Sequence, residues 1–205
     1  MAGTVIRSFA SPAARACDLA FDGRTLWNSD YLSDLIYQID PATGKVIRSF
    51  SAPGGSASGL AFDGRTLWYC DDGSDLIYQI DPTTGKVIRS FAAPGPIPSG
   101  LAFDGRTLWN CDDGSNLIYQ IDPATGKVIR SFSIGAITPT GLTWADRTLW
   151  YVDYAIKRIY QIDPATGKVI RSFSTPGTGP RSLAWDGRTL WTADTLVSKI
   201  YQLSV

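Results

Sequence analysis

Five aspartates stand at one fixed interval. Asp30, Asp71, Asp112, Asp153 and Asp194 each follow the last by 41 residues. Carboxylates so repeated could form a cation site, since calcium takes oxygen ligands of this kind, or an acid–base cluster. The local alternative is that each Asp accepts N–H bonds within its own turn. Recurrence in every repeat favours the turn, because five turns need five acceptors and one site does not. Asp72 and Asp113 occur in only two repeats and Asp18 in one. These three are better placed for a unique role. Cys17, Ser58, Ser99, Thr140 and Arg181 share a second 41-residue register and differ in chemistry from repeat to repeat. Cys17, Asp18, Asp72, Asp113, Thr140 and Arg181 are therefore the candidate ligand-binding set. The aspartate ring remains the weaker candidate for a metal.

Composition removes much of the usual catalytic repertoire. The chain has no His, and all 19 of its acidic residues are Asp. Cys–His and Ser–His nucleophiles and His-ligated metals are thereby excluded. A Cys17 thiolate stabilised by Arg181 is the nucleophile that remains, without a base to activate it. Lys and Arg also total 19, so the formal net charge is zero. A nucleic-acid footprint would show as excess basic charge on one face. No apolar run approaches the ~20 residues of a membrane helix. The N-terminal residues run straight into the first repeat, so no signal peptide is expected. The expectation is a soluble, monomeric, non-enzymatic protein that needs no cofactor, with a small molecule or peptide as its conceivable partner.

The elements that must position these residues follow from the repeat. Arg-Thr-Leu-Trp starts at Arg24, Arg65, Arg106, Arg147 and Arg188, and Val-Ile-Arg-Ser-Phe at Val5, Val46, Val87, Val128 and Val169. The length of 205 is five such units, with no insertion or deletion. Ser51 to Phe91 and Ala92 to Phe132 differ at seven positions, fewer than natural drift usually leaves. A recently amplified, consensus or designed chain fits that. Each unit holds four short runs rich in β-branched and aromatic residues, too short for helices. In the second unit they are 59–62, 66–70, 76–80 and 87–91. Asp63-Gly64, Asp71-Asp72-Gly73-Ser74 and Asp81-Pro82-Thr83-Thr84-Gly85 supply the turns between them.

Four antiparallel strands per ~40 residues is the pattern of a β-propeller blade. A solenoid would need capping repeats, and none is visible. The chain opens on an outer strand and stops after a third strand, so pairing the two closes a ring of five. The expected single domain spans 1–205, with blades at 17–50, 58–91, 99–132, 140–173 and 181–205 plus 4–9. Trp27, Trp68, Trp109, Trp150 and Trp191 are expected to fill the spaces between blades. Arg7, Arg48, Arg89, Arg130 and Arg171 are expected to form a polar rim that blocks edge pairing. Cys70 and Cys111 match across neighbouring blades, on the order of 10 Å apart. A disulfide needs Cα atoms within ~7 Å, so three free thiols are expected. One face carries near-invariant turns. The other carries the varying residues, where loops on a fixed scaffold usually bind.

Gly-Leu-Ala-Phe-Asp-Gly-Arg-Thr-Leu-Trp followed by Ile-Tyr-Gln-Ile-Asp-Pro-Ala-Thr-Gly-Lys resembles bacterial propeller repeats of the NHL, YVTN and PQQ-like kind, over the whole chain. That resemblance implies the fold; its members include lyases, lactonases, sensors and binding modules. Thr140-Gly141-Leu142-Thr143-Trp144 is similar to a strand of the five-bladed glutaminyl cyclotransferases. Their catalytic site relies on Glu, which this chain lacks, so the likeness implies five blades more than an activity. The near-identical blades also resemble engineered symmetric propellers. The alternative function is a degenerate relative of an enzymatic propeller of the cyclotransferase or lyase type.

Overall fold

The computed structural model describes residues 3–135 and 137–205. Its strands form five sheets of four. β1 (Val5–Ala10) comes first. The first blade then runs through β2 (Ala16–Phe21), β3 (Leu26–Asp30), β4 (Leu35–Ile39) and β5 (Val46–Ser51). The second holds β6 (Ala57–Phe62), β7 (Leu67–Asp71), β8 (Leu76–Ile80) and β9 (Val87–Ala92). The third holds β10 (Pro98–Phe103), β11 (Leu108–Asp112), β12 (Leu117–Ile121) and β13 (Val128–Ser133). The fourth holds β14 (Pro139–Ala145), β15 (Thr148–Asp153), β16 (Arg158–Ile162) and β17 (Val169–Ser174). The fifth holds β18 (Ala184–Trp185), β19 (Leu190–Asp194) and β20 (Lys199–Leu203), and takes β1 as its outer strand. This is the five-bladed propeller that the repeat predicts.

The ring closes in register. Val5 pairs with Leu203 and Arg7 with Gln202, as Val46 pairs with Ile39 and Arg48 with Gln38. The turn beyond that pair is also kept, although it joins opposite ends of the chain. Gly3 N donates to Ser204 O at 2.8 Å, as Gly44 N does to Asp40 O at 2.8 Å. Ser204 N donates to Thr4 O at 3.0 Å, as Asp40 N does to Lys45 O at 2.9 Å. Gly3 and Gly44 share a positive φ, 78° and 73°. A Cβ on either would lie 2.6 Å from a Phe ring of the preceding blade, Phe173 or Phe9. Glycine is therefore required twice over, by conformation and by space.

Burial falls from the axis outward. The inner and second strands are almost wholly buried, because both of their faces meet neighbouring blades. The outer strands are exposed over most of their length, with the Phe half-buried. Five apolar clusters fill the five seams. Trp27 of the first blade packs with Leu60, Leu67 and Tyr69 of the second. Trp191 packs with Leu19 and Leu26 of the first blade across the closing seam. Removing one such buried Trp typically costs about 3–5 kcal/mol. The tryptophans are seam-fillers, as their position between apolar neighbours predicts.

The five arginines of the outer strands, expected as a polar rim, also pack against the tryptophans or the next blade. Arg48 lies over the Trp27 ring, 5.3 Å from its centroid. Its Nε donates to Gln38 Oε1 at 2.7 Å, and its Nη1 reaches Thr83 O of the next blade at 2.9 Å. Arg89 and Arg130 repeat the arrangement, and Arg7 reaches Pro41 O and Ala42 O. A planar guanidinium can stack on a ring and donate from its edge at once, which lysine cannot do. Arg7, Arg48, Arg89 and Arg130 latch one blade to the next.

A candidate binding pocket at the channel mouth

Two cavities lie on the axis. The upper one, about 340 Å³, is lined by Cys17, Ser58, Ser99, Thr140 and Arg181, and by Arg15, Tyr31, Asp72, Asp113 and Thr195 from the loops above. The lower one, about 180 Å³, is lined by the Leu-Ala-Phe run of each inner strand and its Leu-Thr-Trp and Ala-Trp counterparts. The inner strands set both. They are edge strands whose free side faces the channel, and the side chains along them stack in rings.

The ring between the two cavities is narrow. It consists of Asp18, Gly59, Gly100, Gly141 and Ser182, matching positions of the five inner strands. A Cβ on Gly59 would stand 2.5 Å from Ser99 O, on Gly100 2.6 Å from Leu142 N, and on Gly141 2.6 Å from Ser182 Cα. Backbone thus meets backbone at three of the five positions. Asp18 is fully buried, and its Oδ2 accepts from Leu60 N at 2.7 Å. Its Oδ1 has no hydrogen-bond partner. Burial drives the carboxyl well above its usual range, against the pull of the Leu60, Leu19, Leu101 and Leu183 amides. Asp18 is therefore not part of the pocket wall, where its place beside Cys17 had put it. It sits below the pocket.

The other five candidates, Cys17, Asp72, Asp113, Thr140 and Arg181, are brought together on the upper cavity. Two of them lie inside the inner strands rather than just before them, since β2 starts at Ala16 and β14 at Pro139. Arg181 comes from the fifth blade. Its backbone N donates to Ala193 O at 3.0 Å, and its guanidinium stacks on Tyr154, 5.2 Å from the ring centroid. Asp72 and Asp113 occupy one position on neighbouring blades. Burial and the adjacent Asp71 or Asp112 raise both carboxyls, while Arg181 lowers both. Cys17 does not become a thiolate. Burial pushes its thiol up to about 12, and the Arg181 charge offsets only part of that. All three cysteines are free and buried.

The aspartate ring has another job. Asp30 Oδ2 accepts from Arg15 N at 2.7 Å, and its Oδ1 from Leu32 N at 3.1 Å and Ser33 N at 2.9 Å. Asp71, Asp112, Asp153 and Asp194 do the same in their blades. Each carboxylate ties the loop entering the inner strand to the turn after the second strand. The oxygens face amides of their own blade. Among the described residues no group of three or more Cys or Asp is arranged to hold a metal ion. Asp30, Asp71, Asp112, Asp153 and Asp194 are framework for the pocket's walls.

A second set of aspartates went unread as more than turn-formers. Asp22 Oδ2 accepts Trp27 Nε1 at 2.8 Å and Thr25 Oγ1 at 2.6 Å, and its Oδ1 accepts Thr25 N at 2.6 Å. Asp63, Asp104 and Asp186 repeat this under Trp68, Trp109 and Trp191. The fourth blade reads Ala145-Asp146 where the others read Asp-Gly. There the turn takes positive φ at Asp146 and Arg147, and the Trp150 Nε1 is buried without a partner. The sequence signal was the strict spacing of five residues from Asp to Trp, broken only in that blade.

With fold and pocket in hand, comparison with known proteins adds a family. Residues 20–170 match the PQQ-like family described as outer membrane protein assembly factor BamB. The chain belongs to that family. None of the curated proteins matches it in sequence. Among solved structures, glutaminyl cyclase of Myxococcus xanthus superposes with a TM-score of 0.82 at 16% identity, covering 98% of this chain and 94% of that one. A catalytically inactive virginiamycin B lyase from Staphylococcus aureus, solved with quinupristin, gives 0.62 at 19% identity, covering 96% and 83%. Hydrazine synthase of Kuenenia stuttgartiensis gives 0.60 at 21% identity, covering 90% and 56%. At these identities the likeness is one of fold. Among the described residues no helix is long and apolar enough to cross a membrane.

Proposed function

We propose that this member of the family is a monomeric, non-enzymatic binding module whose small ligand occupies the upper pocket. One observation carries the reading. Around the upper cavity the five equivalent positions hold Cys17, Ser58, Ser99, Thr140 and Arg181, whereas around the lower one Leu, a small residue and an aromatic recur. A pocket whose lining departs from the five-fold repeat can hold a ligand in one orientation. The absence of His and Glu and the raised Cys17 thiol support a role without catalysis. The near-identity of the second and third repeats supports a recently copied or designed blade.

A screen of small polar fragments by NMR tests this. Hits should perturb Tyr31, Asp113 and Thr195 and weaken at least tenfold in Arg181→Ala. A panel that perturbs no pocket residue defeats the proposal. A second reading draws on the glutaminyl cyclase superposition, which spans nearly both chains. Turnover of N-terminal glutaminyl peptides, abolished by Asp72→Asn or Asp113→Asn, would replace the binding module with an enzyme.

A further inference from the structure

The charges on the pocket wall are not evenly spread. Asp72 and Asp113 come from the second and third blades, Arg15 from the loop entering the first and Arg181 from the fifth. Arg181 is fixed by its stacking on Tyr154 and by its place on the inner strand. It acts on both carboxyls, yet two further carboxylates, Asp71 and Asp112, stand directly behind them. The two arginines of the lining, Arg15 and Arg181, thus come from the adjoining first and fifth blades, and its two carboxyls from the adjoining second and third. The acidic side can take a positive group, and the guanidinium side a carboxylate. Its planar fork suits a carboxylate held by two parallel bonds. Ile97, Pro98 and Tyr31 add apolar surface to the lining. The volume, about 340 Å³, is at the small end of ligand pockets, roughly 300–1,000 Å³. That excludes a long peptide.

We propose that the pocket takes a small zwitterion, an α-amino acid or dipeptide, with its ammonium against Asp72 and Asp113 and its carboxylate on Arg181. The inference rests on the binding reading above and names its ligand class. Each charged end contributes separately to recognition, because each meets a different blade. A neutral molecule of the same shape leaves both sides of the pocket unmatched, and desolvated charges left without partners oppose its binding.

Calorimetry with alanyl-alanine, its N-acetyl form and its C-terminal amide separates the contributions. Each blocked form should bind about tenfold to a hundredfold more weakly than the free dipeptide. In Arg181→Gln the amide should bind as well as the free acid, while acetylation still weakens binding. In the Asp72→Asn, Asp113→Asn double variant the pattern reverses. Melting curves show that each variant is folded, and for wild-type protein the three-ligand comparison needs no variant at all. If the blocked forms bind as tightly as the free dipeptide, the zwitterion is wrong and the binding module stands. If none of the three binds while fragments still do, the outcome is the same. If fragments also fail, the binding module falls with it.

Discussion

The two faces of the disc use aspartate differently. On the lower face Asp22, Asp63, Asp104 and Asp186 are half-exposed and hold a Trp and a Thr of their own turn. On the upper face Asp30, Asp71, Asp112, Asp153 and Asp194 are buried and span two loops. A third kind, Asp72 and Asp113, lines the pocket, and of the two Asp72 also accepts a hydrogen bond from Ser56. The difference teaches that a recurring residue type marks the framework and an irregular one marks the site. Within one fold the same carboxylate can be a strut or a contact, and what surrounds its oxygens decides which.

Substitutions can break that comparison, beginning with the struts. Asp71→Ala should take the acceptor from the Ser56 and Ser74 amides, unlink the two loops it ties and cost about 3 kcal/mol, read as a lower midpoint in urea. Asp63→Ala should cost less, about 2 kcal/mol, because its turn is partly open to water that can replace the lost bonds. The fourth blade offers the reverse. Ala145→Asp with Asp146→Gly should give the Trp150 Nε1 a partner and raise the melting temperature by about 2–4 °C. Asp113→Asn and Arg181→Ala in the pocket should change stability by only about 0.5 kcal/mol. A strut-sized loss at either would erase the distinction between the two classes.

Acid should weaken the lower face. Hydrogen bonds from Thr and Trp outweigh burial and hold Asp22, Asp63, Asp104 and Asp186 below the usual carboxylate range. A depressed folded pKa means stability that is complete above the unfolded value, about 3.9, and is lost as pH falls through the folded one. Melting temperature should therefore decline below about pH 4. The decline should be shallower in Asp63→Asn, and steeper in the repaired fourth blade.

Much of this was legible in the residues. The 41-residue period, the four apolar runs and the Pro and Gly turns specify the blades, and the outer-strand start specifies the closure. The pocket set was legible too, because Cys17, Thr140 and Arg181 break a register that is otherwise small and polar. Asp18 was misplaced. One residue along an inner strand moves a side chain from the pocket to the packed axis, and the strand's true start at Ala16 is not visible in composition. The second role of the arginines was hidden for a related cause. An exposed outer strand suggests a solvated charge, but a guanidinium can turn back over the Trp of its own blade and reach the next turn. That needs three dimensions to see.

The hydrogen bonds that bridge Gly3 and Ser204 also bear on how the protein assembles. Every other blade is joined by hairpins that close over a few residues. The β1–β20 pair must find itself across nearly all of the 205-residue chain. Loop-closure entropy grows only with the logarithm of length, so this search costs about 3 kcal/mol more than a ten-residue hairpin. Folding should therefore run blade by blade and finish on one late, long-range seam. Until that seam forms, the outer edge of β20 and the free β1 strand are complementary halves on the same molecule, available to each other and equally to those of a neighbour.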